Sequence, residues 1–171
     1  AEKNNQRLFG HNLIWHSSTP KWVEEKGEKD SIWLGNFMQQ YIKTYVGRYK
    51  GKVAAWDVVN EPLSGADGNG DGLYDLQSAK NVSEADAKNN FYWQDYLGDN
   101  YVRTAVQLAR THGPANMKLF VNDYNLESDW DNNQKLKSLV KWIEKWESDG
   151  ETVIDGIGTQ MHVSYYANPA T

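Results

Sequence analysis

The chain has no cysteine among its 171 residues, so no disulfide framework exists and the redox compartment stays open. No apolar run approaches the roughly 18 residues of a membrane-spanning helix. Residues 1–7 (Ala-Glu-Lys-Asn-Asn-Gln-Arg) lack the apolar stretch of a signal peptide. Basic charge is not in excess: 18 Lys and Arg face 23 Asp and Glu, a net charge of −5, which argues against electrostatic binding of nucleic acid. Low-complexity linkers and close repeats are missing too. What the chain has in quantity is aromatic surface, 13% of residues, with 8 Trp and 10 Tyr. Such rings fill cores, and they also line grooves that stack on sugar faces. Composition does not choose between the two.

The length suits one domain with a real core. Four short apolar segments, Leu8–Trp15, Val53–Val59, Lys118–Asn122 and Val153–Gln160, read as strands and alternate with longer segments of helical period. Leu34, Phe37, Met38, Tyr41, Ile42, Tyr45 and Val46 mark one helix face, capped by Asp30 or Ser31 and ending near Gly47 or Gly51. A second helix reads through Phe91, Leu97, Tyr101, Val102, Ala105, Val106 and Ala109 to Gly113-Pro114. A third opens at Asp131, with Gln134 placed for a capping box, and buries Leu136, Leu139, Val140, Ile143 and Trp146. Alternation of this kind implies an α/β fold of βαβ units around a parallel sheet.

Residues 62–90 break the rhythm. The stretch shows no sustained period, and a loop this long is usually functional. It leaves directly from Glu61 and is expected to overhang it. Within it, Asp67, Asn69, Asp71 and Asp75 fall at alternate ligand positions of a calcium loop, with Gly72 at the sixth. Ser78 occupies the twelfth, where a bidentate Glu is required, so a metal-free acidic turn is the competing reading. No other cofactor is implied.

The strand ends carry the chemistry. Trp56-Asp-Val-Val-Asn-Glu61 stops on an amide and a carboxylate before Pro62, which cannot donate to a ladder. In parallel α/β folds that rim is where active sites are built. The first strand holds His11 and Trp15, then His16; the third ends Asn122-Asp-Tyr-Asn125; the fourth runs through Gln160 to His162. Polar groups gathered at one sheet edge cost desolvation unless a ligand uses them.

Gly10-His-Asn-Leu-Ile-Trp-His-Ser17, Trp56-Asp-Val-Val-Asn-Glu61, Val121-Asn-Asp-Tyr-Asn125 and Asp155-Gly-Ile-Gly-Thr-Gln-Met-His162 together resemble the third to sixth strands of family 10 glycoside hydrolases, the endo-1,4-β-xylanases. Phe91-Tyr-Trp-Gln-Asp-Tyr-Leu-Gly-Asp-Asn-Tyr-Val-Arg103 resembles the helix after the acid/base strand. The resemblance implies a partial (β/α)8 TIM barrel over residues 1–171, with the family loop enlarged at 62–90. It makes Glu61 the general acid/base of a retaining mechanism and Asn60 the partner of the sugar 2-hydroxyl. His11 and Trp15 would line the same glycone subsite, Gln160 and His162 would sit beside the catalytic carboxylates, and Tyr124 would border the aglycone side. Asp57 reads as structural, and Asp123 and Asp155 as poor substitutes for a nucleophile.

The family's nucleophile strand has no counterpart here, and a full barrel needs roughly 250 residues. The chain is therefore expected to be a fragment, inactive alone, of an enzyme acting on xylan or xylo-oligosaccharides. Its exposed sheet edges are expected to be covered by the remainder of the barrel or by self-association. Because polymeric xylan cannot enter a cell, the parent is expected to be secreted or surface-facing. Competing readings are a cellulase-like β/α-barrel glycanase, since Asn-Glu-Pro also ends that acid/base strand, and a non-catalytic glycan-binding remnant.

Overall fold

The structure, a computed structural model, describes residues 1–163. Its elements are β1 (Leu8–Trp15), α1 (Lys21–Gly27), α2 (Ser31–Arg48), β2 (Val53–Asn60), α3 (Glu84–Asn89), α4 (Trp93–Leu97), α5 (Tyr101–His112), β3 (Lys118–Asp123), α6 (Gln134–Trp146) and β4 (Gly156–Thr159). The strands form one parallel sheet in sequence order, β1-β2-β3-β4. Parallel neighbours in chain order are what repeated βα units produce.

Strand β2 is the centre of this sheet, buried at every position except Ala54. A strand covered on both faces reads as a continuous apolar run, which Val53 to Val59 nearly is. Helix α2 buries Leu34, Met38, Ile42 and Val46, spaced by four along one stripe. Each such burial is worth about 1.5–3 kcal/mol. Asp30 caps the helix by accepting from the Trp33 N–H at 2.9 Å. Beside that stripe runs a column of rings, Trp33, Phe37, Tyr41 and Tyr45, with successive centroids 5.3 to 6.1 Å apart.

Several sequence expectations are corrected. The second helix is two: Gly98 adopts φ 74° and ψ 178°, which ends α4 and re-aims the chain before α5. Helix α1 is short and has no side-chain cap, so it left no periodic signal. Strand β4 begins at Gly156 rather than Val153, because Asp155 is held below the sheet by Arg110, Lys118 and the Leu119 N–H. Helix α6 turns the expected face inward at Leu136, Leu139, Ile143 and Trp146, but Val140 is not part of it. Val140 is exposed, whereas Lys135, Ser138, Leu139, Trp142 and Trp146 are buried. Asp131 accepts from the Gln134 and Lys135 N–H groups, but Gln134 does not complete the box; its amide donates to the Gly72 carbonyl.

Within the 62–90 stretch, residues 62–77 form a tethered hairpin and α3 follows it. Leu63 pairs with Leu76 across its stem, and both are buried. The tip is carried away from Glu61 onto α6, where the Tyr74 N–H donates to Ser138 Oγ and Trp142 Nε1 donates to the Tyr74 carbonyl, each at 2.9 Å. The stem stays beside Glu61 through Gln77, and the tip forms a strap across the helix.

Candidate active site

Four left-handed residues that are not glycine follow the four strands. Ser18 comes after β1 (φ 62°), Glu61 after β2 (φ 55°), Asn125 after β3 (φ 59°) and Met161 after β4 (φ 50°). Side chains adopt this backbone rarely and at a cost of about 1–3 kcal/mol for each strained residue, so its recurrence at one rim marks a built site. Glu61 is the least expected of the four, because a residue before proline ordinarily stays extended.

The left-handed turn throws the Glu61 carboxyl sideways into a set of neutral donors. Trp15 Nε1 donates to Oε2 at 2.9 Å, and Gln160 Nε2 donates to Oε1 at 2.6 Å. His16 Nε2 lies 3.9 Å from Oε2. The His16 ring is mostly buried and stacks on Tyr92 with centroids 5.3 Å apart. Burial lowers the His16 pKa below its usual value, only partly opposed by the Glu61 charge, so the ring is neutral at pH 7.

Asn60, immediately before Glu61, is buried, and its Oδ1 accepts from Asn122 Nδ2 at 2.7 Å and from Gln160 Nε2 at 3.5 Å. With the oxygen so used, the amide N–H groups remain as the donors Asn60 can offer a ligand. Gly158 makes this arrangement possible: a Cβ there would come within 2.5 Å of Asn122 Oδ1. His162 joins through the same glutamine, its Nε2 lying 2.8 Å from Gln160 Oε1. An amide oxygen only accepts, so His162 carries its proton on Nε2 when this bond is made. The resulting chain runs from His162 through Gln160 to Glu61.

Tyr124 stands just past β3, half-buried, with Lys135 Nζ 3.3 Å from its ring centroid. Burial, reinforced by the Asp123 and Glu61 charges, pushes the Tyr124 phenol up to about 12. Lys135 also donates to Asp123 Oδ1 at 2.8 Å, and both side chains are buried. Asp123 accepts further from the Tyr124 and Leu63 N–H groups. Burial raises its carboxyl to about 6, against the pull of Lys135. This pair binds the end of β3, the start of α6 and the chain two residues beyond Glu61 into one unit.

His11 is the expected site residue that the structure does not bring to Glu61. It lies in the middle of β1, paired in register with Asp57, and its Nδ1 lies 2.8 Å from Asp57 Oδ2. Trp15, by contrast, is in register with Asn60 at the rim. Burial raises the Asp57 carboxyl and His11 partly offsets it. Asp155 is at the opposite end of the sheet: burial acts to raise it, but Lys118 and Arg110 hold it down at about 2. Tyr92 and Gln77, whose amide donates to the Glu61 carbonyl at 2.9 Å, were not singled out from sequence, and His16 and Asn122 were noted at strand ends without a role. Asn122 was findable, since it ends its strand as Asn60 does.

The calcium-loop residues fold on one another. Asp67 accepts from the Gly70, Asp71 and Gly72 N–H groups, Asn69 from Asp71, Asp71 from Leu73, and Asp75 from Gly68 and Asn69. Among the described residues, no three His, Cys, Asp or Glu side chains converge as a metal group. The turn is self-satisfied by its own amides.

A protein-family model described as Glycosyl hydrolase family 10 matches residues 1–171. Endo-1,4-beta-xylanase 3 of Hypocrea jecorina is 38% identical over 164 residues, which cover 96% of this chain and 40% of that protein. Endo-1,4-beta-xylanase C of Paenibacillus barcinonensis is 36% identical over 97% of this chain and 15% of its own length. Among solved structures, GH10 from Paenibacillus barcinonensis superposes with a TM-score of 0.78 at 34% identity, covering 98% of this chain and 46% of that one. Native xylanase 10B from Thermotoga maritima gives a TM-score of 0.78 at 28% identity over 98% of this chain and 44% of its own. The four-stranded sheet is thus part of a (β/α)8 barrel.

Proposed function

The chain belongs to glycosyl hydrolase family 10, and on that basis we propose that it serves hydrolysis of β-1,4-xylosidic bonds in xylan with retention of configuration, Glu61 being the general acid/base. The observation that carries the reading is the Glu61 carboxyl, turned out by a left-handed backbone and gripped by the neutral donors of Trp15 and Gln160. Neutral donors orient a carboxyl without the fixed cationic partner that would tie it down as a structural ion pair. Asn60 offers its N–H groups to a sugar hydroxyl, Trp15 a ring wall, and Tyr124 an edge on the far side.

Retention needs a second carboxyl about 5–5.5 Å from the first. Asp57, Asp123 and Asp155 are each engaged elsewhere, by His11, by Lys135 and by Arg110 with Lys118. The chain spans about 40% of the Hypocrea jecorina relative, and the nucleophile in this reading comes from sequence outside residues 1–171. The same reading puts xylan outside the cell and the protein with it. Among the described residues, no helix is long and apolar enough to cross a membrane.

The test, made in the complete barrel, compares xylan with an aryl β-xylobioside bearing a good leaving group. Glu61→Gln removes the transferable proton, and xylan hydrolysis is expected to fall by about 10²–10⁴-fold, the usual worth of general acid catalysis. Release of the aryl alcohol in the first turnover needs little protonation and is expected to fall far less, whereas hydrolysis of the glycosyl-enzyme still slows because Glu61 is its base, so a burst of aryl alcohol is expected. Equal losses on both substrates, with no burst, would sink the acid/base assignment. Binding of xylo-oligosaccharides by this chain with no hydrolysis by any assembly containing it would favour a glycan-binding role.

A further inference from the structure

The Glu61 backbone sits at φ 55°, a conformation its own sequence does not favour, with proline following. Two bonds hold it there. Its N–H donates to the Asn122 carbonyl at 2.7 Å, and its carbonyl accepts from Gln77 Nε2 at 2.9 Å. Asn122 belongs to the neighbouring strand, so the first bond continues the sheet. The second comes from the far end of a fifteen-residue excursion, since Gln77 is the residue at which the hairpin returns.

Gln77 is engaged twice. Its backbone N–H donates to the Pro62 carbonyl at 2.7 Å, and its side chain reaches one residue further back to Glu61. The hairpin stem is already closed by the Gln77 to Pro62 bond, the Ser64 N–H to Asp75 carbonyl bond at 2.8 Å, and the buried Leu63–Leu76 contact. The side-chain amide is therefore not what folds the loop; its partner is the strained peptide of Glu61. Rotating that peptide would swing the carboxyl away from Trp15 and Gln160.

We propose that Gln77 is a positioning residue for Glu61: its amide fixes the left-handed peptide and so aims the carboxyl. The inference rests on Glu61 being the acid/base, but its structural half stands on the backbone alone. Strap and acid are mechanically joined. The hairpin tip is bonded to α6 through Tyr74, and the returning arm delivers Gln77 to the rim.

Gln77→Met keeps the length and removes the donor, and Gln77→Glu keeps the shape and removes the N–H at neutral pH. The first readout is NMR of this chain, which needs no turnover. In both variants the HN–Hα coupling and Cα shift of Glu61 are expected to move toward extended backbone, with the hairpin signals of Leu63 and Leu76 unmoved. The second is the leaving-group comparison. Displacing a reacting group by about 1 Å costs on the order of 10²-fold, so Gln77→Met is expected to lower xylan turnover by about 10–10²-fold. The burst of aryl alcohol from the aryl substrate should slow several-fold less. Unchanged Glu61 couplings overturn the proposal, as do equal losses on the two substrates when Glu61→Gln discriminates them. If Glu61→Gln itself shows no leaving-group dependence, the acid/base reading fails, and the couplings alone decide whether Gln77 holds the peptide.

Discussion

Gln160 Nε2 lies 2.6 Å from Glu61 Oε1, so the end of β4 is bonded to the end of β2 across the intervening strand. The same side chain presents Oε1 to His162 Nε2. Gln160→Leu keeps the volume and breaks both of these bonds and the longer one to Asn60 Oδ1. One lost hydrogen bond of this kind is worth about 0.5–1.5 kcal/mol, so xylo-oligosaccharide affinity is expected to fall by up to about tenfold in calorimetric titration. Imidazole ¹⁵N spectra are expected to show His162 losing its preference for the Nε2–H tautomer. A tautomer unchanged by the substitution would mean that the His162–Gln160 contact does not form in solution.

The buried Asp123–Lys135 pair predicts a pH dependence of stability with a definite sign. Lys135→Met leaves a buried carboxyl without its cation, which typically costs about 3–5 kcal/mol. Asp123 is already raised by burial to about 6 with Lys135 present. Without the lysine, the folded state holds its proton to still higher pH, while the unfolded chain releases it near 4. The folded state then binds more protons than the unfolded one across this window, so stability falls as pH rises. Urea denaturation of the variant is expected to show a small deficit at pH 5 and a larger one at pH 8. A deficit independent of pH would show that Asp123 never takes up the proton.

Ser138 and Trp142 hold the two sides of one residue, Tyr74, at the tip of the strap. Ser138→Ala and Trp142→Phe each orphan one of its backbone groups, worth about 1–3 kcal/mol locally if the group stays buried. Amide exchange is expected to quicken across residues 66–75 while protection in β2 and β3 holds, because the tip opens without the core. Exchange that accelerates equally in tip and strands would make the strap part of the global folding unit.

Much of this was legible in the residues, and the gaps have physical causes. Strand β1 matched at both ends because alternation and flanking polar residues bound it on each side. Strand β2 ran one residue further, to Asn60, and β3 to Asp123, because a buried polar side chain looks like a loop residue until its partners are known. Helix α6 hid part of its buried face for the same reason: Lys135 and Ser138 are buried because Asp123 and Tyr74 receive them, and no local pattern announces such partners. Pro62 suggested an extended Glu61, and tertiary bonds from Asn122 and Gln77 overrode it. Register sets His11 beside Asp57 in mid-strand, and it lines one cavity with Trp15.

The sheet edges carry the last prediction. Among the described residues, strand β1 is open on one side and β4 on the other. On β1, Phe9 is 55% exposed and Leu8 41%, and Val153 just before β4 is 56% exposed. Phe9 lies on the same sheet face as Phe120, 5.6 Å away between centroids, so its exposed ring extends an apolar surface and is not an isolated side chain. An unpaired strand edge backed by apolar rings is a template for another strand, and a charge on that edge is the usual deterrent. Residues 1–171 studied alone are therefore expected to self-associate with rising concentration in light scattering, unless further barrel sequence covers the edges. Phe9→Lys places a charge beside the open β1 edge without touching Glu61, Trp15 or Gln160, and is expected to shift the chain toward monomer. A chain that stays monomeric at every concentration, with Phe9 as accessible to solvent as it is here, would show that the bare edges need no cover.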